Sequence, residues 1–126
     1  MASGTQQFQK LCDDIFALSS NIRFVGIINR MGKLVAGGMR QGVEPLEDKS
    51  DSSKLYLAFA LRSEMRKDFD AQFGKTLYSF SERERIKLAS FPLKDHILRI
   101  SMEKGERHST LIEKILRIIS GSHLQN

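Results

Sequence analysis

The sequence predicts one α+β domain built on antiparallel strands, with the element order α-β-β-α-β-β-β-α. Three observations carry that expectation. A glycine-turn hairpin spans Ile22–Gly38, an apolar row of period four runs through 51–73, and three short alternating segments lie between 76 and 102. Helical periodicity at both ends completes the order. The domain is expected over 5–120, with 1–4 and 121–126 as flexible ends.

From Thr5, the positions Phe8, Leu11, Cys12, Ile15 and Leu18 recur three and four apart, so they share one face of a helix that should stop near Ser19-Ser20-Asn21. Cys12 lies on that face, where a buried thiol is the ordinary outcome. The first strand follows, and beyond Arg23 its two alternating sets are apolar or neutral, so it must be covered on both sides. Asn29-Arg30-Met31-Gly32 supplies the turn, because Asn initiates turns and Gly tolerates positive φ. Lys33–Met39 returns antiparallel, and Gly37-Gly38 marks a bulge or a close backbone approach. Arg40–Ser53 contains Gly42, Pro45 and four acids, and reads as a loop ending in a helix cap at Ser50 or Asp51. Such a loop is either a tether or an element that orders on binding.

The longest element is a helix over 51–73, closed by Gly74. Its row Leu57, Leu61, Met65, Phe69 and Phe73 is the stripe expected to lie on the sheet. Leu55, Tyr56 and Phe59 flank that row, which makes the first half of the helix apolar over more than one stripe. Each would contribute about 1.5–3 kcal/mol on burial. They are therefore covered either by the 40–50 loop or by a second copy of the chain. Three strands come next, Thr76–Ser81, Ile86–Phe91 and His96–Met102, with turns at Glu82–Arg85 and Pro92–Asp95. The last helix has a cap at Ser109 or Thr110 and a broad stripe of Leu111, Ile112, Ile115, Leu116, Ile118 and Ile119.

Composition narrows the function classes. A chain of 126 residues buries roughly two thirds of its unfolded surface and needs no staples. The single cysteine permits no internal disulfide, and the amino terminus lacks a signal pattern, so a reducing, cytoplasmic setting is expected. Leu55–Leu61, the longest apolar run, is far short of the about 20 residues of a membrane span. The net charge of +5 is interleaved with acids, as in Arg62-Ser63-Glu64-Met65-Arg66-Lys67-Asp68, which argues for a solvated surface and against a nucleic-acid stripe.

No catalytic constellation emerges, so no enzyme, cofactor or metal is expected. Gly74-Lys75-Thr76 resembles the end of a phosphate loop, but Phe69 stands where that pattern needs glycine, and the helix precedes the motif. His96, His108 and His123 are far apart and only one Cys is present, so a zinc set does not form in sequence. Asp13-Asp14 and the pair Asp68, Asp70 are solvated acids on helices.

The element order, together with Phe24–Gly38, FVGIINRMGKLVAGG, resembles the roadblock (dynein light chain-like) modules of the profilin-like fold. The chain looks closer still to a family of small archaeal proteins with a similar hairpin and an MRKDFD-like segment, here Met65–Asp70. The resemblance implies a five-stranded antiparallel sheet with the long helix on one face and the terminal helices on the other. It also implies homodimers in which the long helix and the following strand meet their counterparts, and a role as regulator or scaffold of small Ras-like GTPases. The candidate interface is then Leu55, Tyr56, Phe59, Arg62 and Arg66 with Tyr78 and Phe80. The alternative is a PAS- or profilin-like small-ligand sensor, with a pocket beneath the 40–50 loop and Tyr78, His96 and Arg99 as its polar groups.

Overall fold

The computed structural model describes residues 2–125, and the side chains of all of these except 2–4 and 49. Its elements are α1 (Ala2–Phe16), β1 (Ile22–Asn29), β2 (Leu34–Met39), α2 (Lys49–Arg66), a single 3-10 turn (Lys67–Phe69), α3 (Asp70–Phe73), β3 (Ser79–Glu82), β4 (Ile86–Leu93), β5 (His96–Glu103) and α4 (His108–Ser120). The five strands form one antiparallel sheet in the order β2-β1-β5-β4-β3.

Strand alternation sorts the side chains onto two unlike faces. On one, Val25 and Ile27 of β1, Ala89, Phe91 and Leu93 of β4, and Leu98, Ile100 and Met102 of β5 are buried together with Leu11, Cys12 and Ile15 of α1 and Leu111, Ile112, Ile115 and Ile119 of α4. This is the hydrophobic core, and both terminal helices close it. The other face presents Phe24, Ile28, Ile97, Ser90, Arg99 and Ser101, and α2 covers it. The layers and the sheet are those expected from the sequence.

Local chemistry explains the joints. Asn29 Oδ1 accepts from the backbone N–H groups of Met31 (2.9 Å) and Lys33 (3.0 Å), which closes the predicted turn. Gly32 stands there at φ 79°, and a Cβ would lie 2.6 Å from Cα of Leu57, so the hairpin tip seats α2 against it. Gly26 carries no side chain because the ring of Phe24 lies across it, 2.5 Å from where a Cβ would stand. The bulge of this hairpin falls at Val35, between the pairs Ile27↔Ala36 and Ile28↔Leu34, whereas Gly37 is the close approach, its α-carbon pressed toward the Val25 carbonyl and Cys12. Arg40 staples the α1–β1 junction: its guanidinium donates to the carbonyls of Ile22 (2.7 Å), Phe16 (2.8 Å) and Ser19 (2.7 Å) and stacks over the Phe16 ring.

Several boundaries differ from expectation. The first helix of the pair over 49–73 begins at Lys49 with Asp48 as its cap residue, so neither Ser50 nor Asp51 caps it, and a 3-10 turn interrupts the run before Gly74 ends it. β3 starts at Ser79, later than Thr76, since Leu77 would next meet Pro92, which has no N–H to donate to a ladder. Pro92 itself lies inside β4, beyond the last β3 pair Ser79↔Ser90, and the turn is confined to Lys94-Asp95 with Asp95 at φ 61°. α4 begins at His108 after Arg107, so neither Ser109 nor Thr110 caps it. Of the ends expected to be flexible, Met1 and Asn126 lie outside the described residues. The segment before Asn126 is bonded to β4: the Lys94 N–H donates to the Leu124 carbonyl at 3.1 Å, and Gln125 bridges Leu93.

Candidate interaction surface on the long helix

The two faces of the helical run 49–73 are reversed relative to the sequence expectation. Leu57 is 44% exposed, Leu61 56%, Met65 67%, Phe69 56% and Phe73 83%, so the row expected on the sheet points outward. Leu55, Tyr56 and Phe59 are half-buried, and among the described side chains of the run only Ala60, at 1% exposure, is fully buried. The sheet-facing side is completed by the half-buried Ser52, Ser63 and Arg66.

The sheet explains the reversal. Its α2-facing side carries Ser90, Ser101 and the guanidinium of Arg99, only 4% exposed. A surface of that kind selects aromatic rings and small side chains in preference to a leucine row. Arg99 lies 4.5 Å from the Phe59 ring centroid, 5.4 Å from Phe24 and 5.6 Å from Tyr56, a cage that offsets part of its desolvation through the negative ring faces. Its Nε has no hydrogen-bond partner. Burial pulls the Arg99 pKa below its usual range, while Glu47 and Tyr56 oppose that shift, and burial pushes the Tyr56 phenol up.

The seven residues of the sequence-derived interface therefore do not form one surface. Tyr56 and Phe59 turn inward onto Arg99, with Leu55 half-buried beside them in the chain. Arg62 is exposed and Arg66 half-buried. Tyr78 is partly exposed, its ring 6.1 Å from that of Phe91. Phe80 packs on the α4 side of the sheet, stacked on His108 at 4.2 Å. What the structure brings together instead is an outward apolar row along the helix, Leu57, Leu61, Met65, Phe69 and Phe73, whereas Leu77, 70% exposed, lies beyond Gly74 beside α4. The sheet has two free edges, β2 and β3, and Ser79 at the start of β3 lines a cleft with Ser63, Arg66 and Asp70 of the helical run. The signal for this surface is present in the sequence as the period-four row, and only its direction differs from the expectation.

The ligand-sensor alternative places its polar groups apart. Arg99 is beneath α2, Tyr78 lies against Phe91, and the His96 ring lies tilted against Phe8, 4.6 Å between centroids, on the α1 side. Beneath the 40–50 loop, between Glu47, Phe24 and Arg99, the cavity measures about 20 Å³, room for roughly one water. The loop is tied down by Arg23, which donates to the Glu44 carbonyl at 2.8 Å and pairs with Glu103 at 2.9 Å. No group of His, Cys, Asp and Glu suited to a metal ion occurs among the described residues, and no helix among them is long and apolar enough to cross a membrane.

A five-stranded antiparallel sheet with one long helix on one face and two terminal helices on the other defines an α+β module of roadblock type. Residues 4–122 match the model of DUF6659, a family of unknown function, and the chain belongs to that family. Among solved structures it is similar to a Roadblock/LC7 domain from Streptomyces avermitilis, with a TM-score of 0.66 and 8% identity over 90% of this chain and 92% of that one. It is likewise similar to MglB of Myxococcus xanthus, with a TM-score of 0.66 and 13% identity over 93% of this chain and 87% of that one. The gliding protein MglB from Thermus thermophilus aligns with a TM-score of 0.65 and 12% identity over 94% of this chain and 92% of that one. At these identities the likeness establishes the fold. No curated protein matches the chain.

Proposed function

We propose that this chain is a non-enzymatic, self-associating interaction module that acts in the cytoplasm as a regulator or scaffold of a small Ras-like GTPase. The observation that carries the reading is the outward row of Leu57, Leu61, Met65, Phe69 and Phe73. A contiguous apolar strip of that length on a small domain is the usual mark of an interface. A second copy is the occupant we favour, because the free edge of β3 starts against the second half of the helical run and a two-fold axis would pair both edge and helix with their counterparts. One neighbour of the same fold is described as MglB with a tetrameric arrangement, an instance of self-assembly on this architecture. Of the interface expected from sequence, exposed Arg62 fits the margin of this seam, whereas Tyr78 lies on the opposite face of the sheet against Phe91. The GTPase rests on the roadblock resemblance, and the kinship with small archaeal proteins on Met65–Asp70.

Two measurements test it. Light scattering on the full chain at tens of micromolar should give the mass of a dimer or larger, and a monomer would end the self-association reading. Affinity capture from the native cell should then retain a small GTPase. A dimer that captures none, with either GDP or a non-hydrolysable GTP analogue supplied, would leave the module without this partner.

A further inference from the structure

A second feature lies away from the long helix. Because β3 starts only at Ser79 and Pro92 offers no donor, the chain at 75–77 runs past β4 without joining it. A groove of about 370 Å³ opens between that segment and the last turns of α4. Its apolar lining is Leu77, Pro92, Leu116 and Ile119, and its charged lining is Lys75 and Arg117, with no acid among the lining residues. Neither cation makes an ion pair among the described residues. The volume falls in the range of small-molecule sites, about 300–1,000 Å³. At about 30 Å³ per water-sized group it holds roughly a dozen such groups.

We infer that this groove is a binding site for a small amphiphilic carboxylate, a medium-chain fatty acid in chemical class. The apolar floor takes the chain, and the two cations at the rim take the head. A guanidinium and an ammonium together supply charge-assisted donors to a carboxylate, for which an uncharged head of equal length has no equivalent. The surface has a second candidate cavity between α1 and α4, but Asp14 lines it beside Lys10 and pairs with it at 2.8 Å, so no net positive rim remains there.

The test is titration of the full chain with sodium decanoate below its micelle concentration, followed by calorimetry and by amide shifts of 75–77 and 116–120, with decanol as the uncharged comparison. Saturable binding by decanoate is expected, weaker by about tenfold or more for decanol. The exposed double variant Lys75→Glu/Arg117→Glu should weaken decanoate by a similar factor and leave the assembly mass unchanged. Equal affinity for decanol, or no loss in the double variant, would overturn the assignment. So would binding seen only in a Leu61→Glu variant, because a second copy would then fill the groove in the native assembly. Decanoate binding by a strictly monomeric wild type would support the site while removing the dimer, so the two proposals fail separately.

Discussion

Placing a carboxylate in the middle of the outward row separates a seam from an idle surface. Leu61 is 56% exposed, so in the isolated subunit Leu61→Glu forfeits at most about half of the 1.5–3 kcal/mol that full burial of a leucine brings, about 1 kcal/mol. In a two-fold pair the remaining half of each leucine is buried by the partner, and the substitution removes it twice, about 2 kcal/mol. Two carboxylates then enter a dry seam without partners, at about 1–3 kcal/mol each. The sum, about 4–8 kcal/mol, weakens association by roughly 10³–10⁶-fold. Sedimentation equilibrium at tens of micromolar should therefore show wild type associated and Leu61→Glu monomeric. Urea unfolding of the two at low concentration should differ by only about 1 kcal/mol. A variant that associates as tightly as wild type refutes the seam. An equal loss from Arg62→Glu, off the row, would refute its placement and move the contact toward the patch expected from sequence.

Other consequences follow from the joints of the fold. Gly32→Ala adds a Cβ at φ 79° and 2.6 Å from Cα of Leu57, so urea midpoints should report a loss of about 3 kcal/mol, left-handed strain and a displaced α2 together. A loss below about 1 kcal/mol would mean that the hairpin tip does not seat the helix. Arg40→Gln removes a cation that holds three carbonyls, and should cost about 2–3 kcal/mol by the same assay; hydrogen exchange should rise first at 17–22. Cys12 is fully buried, and burial pushes its thiol from the ordinary 9.0 up to about 12. The folded state thus keeps a proton that the unfolded state gives up: stability is whole below pH 9 and falls between about 9 and 12, at a slope approaching 1.4 kcal/mol per unit. Unfolding measured at pH 8, 9 and 10 should show that slope in wild type and a shallower one in Cys12→Ala.

Most of the fold was legible because its signals are local. The Asn29–Gly32 turn is written in one side-chain oxygen and one left-handed glycine, and the core stripes of α1 and α4 follow a three-and-four spacing opposite a largely apolar sheet face, with Lys87 and His96 as its polar members. Element boundaries failed where a residue's neighbour in space decides them. Thr76 and Leu77 are adequate strand formers in isolation, and only the pairing that would set Leu77 against Pro92 ends β3 early. Arg40 gave no signal either, since its three acceptors come from a junction that exists only after β2 has paired with β1.

The reversal of α2 has a different cause, and it bears on function. Ranking helix faces by hydropathy assumes that the sheet opposite is the driest surface available to the helix. Here that surface contains Arg99, Ser90 and Ser101, and the helix meets it with two aromatic rings, Tyr56 and Phe59, with Ala60 and with Ser52 and Ser63. With its own sheet supplied by those residues, the leucine and phenylalanine row contributes little to the stability of the single subunit. Conversely, a row that is half to four-fifths exposed is costly to keep in water, at about 25 cal/mol per Å² of apolar area. A monomer gains little by that arrangement, about 1 kcal/mol or less at a position such as Leu61. Self-association is therefore proposed on the exposure of this row and not on the burial of Tyr56 and Phe59.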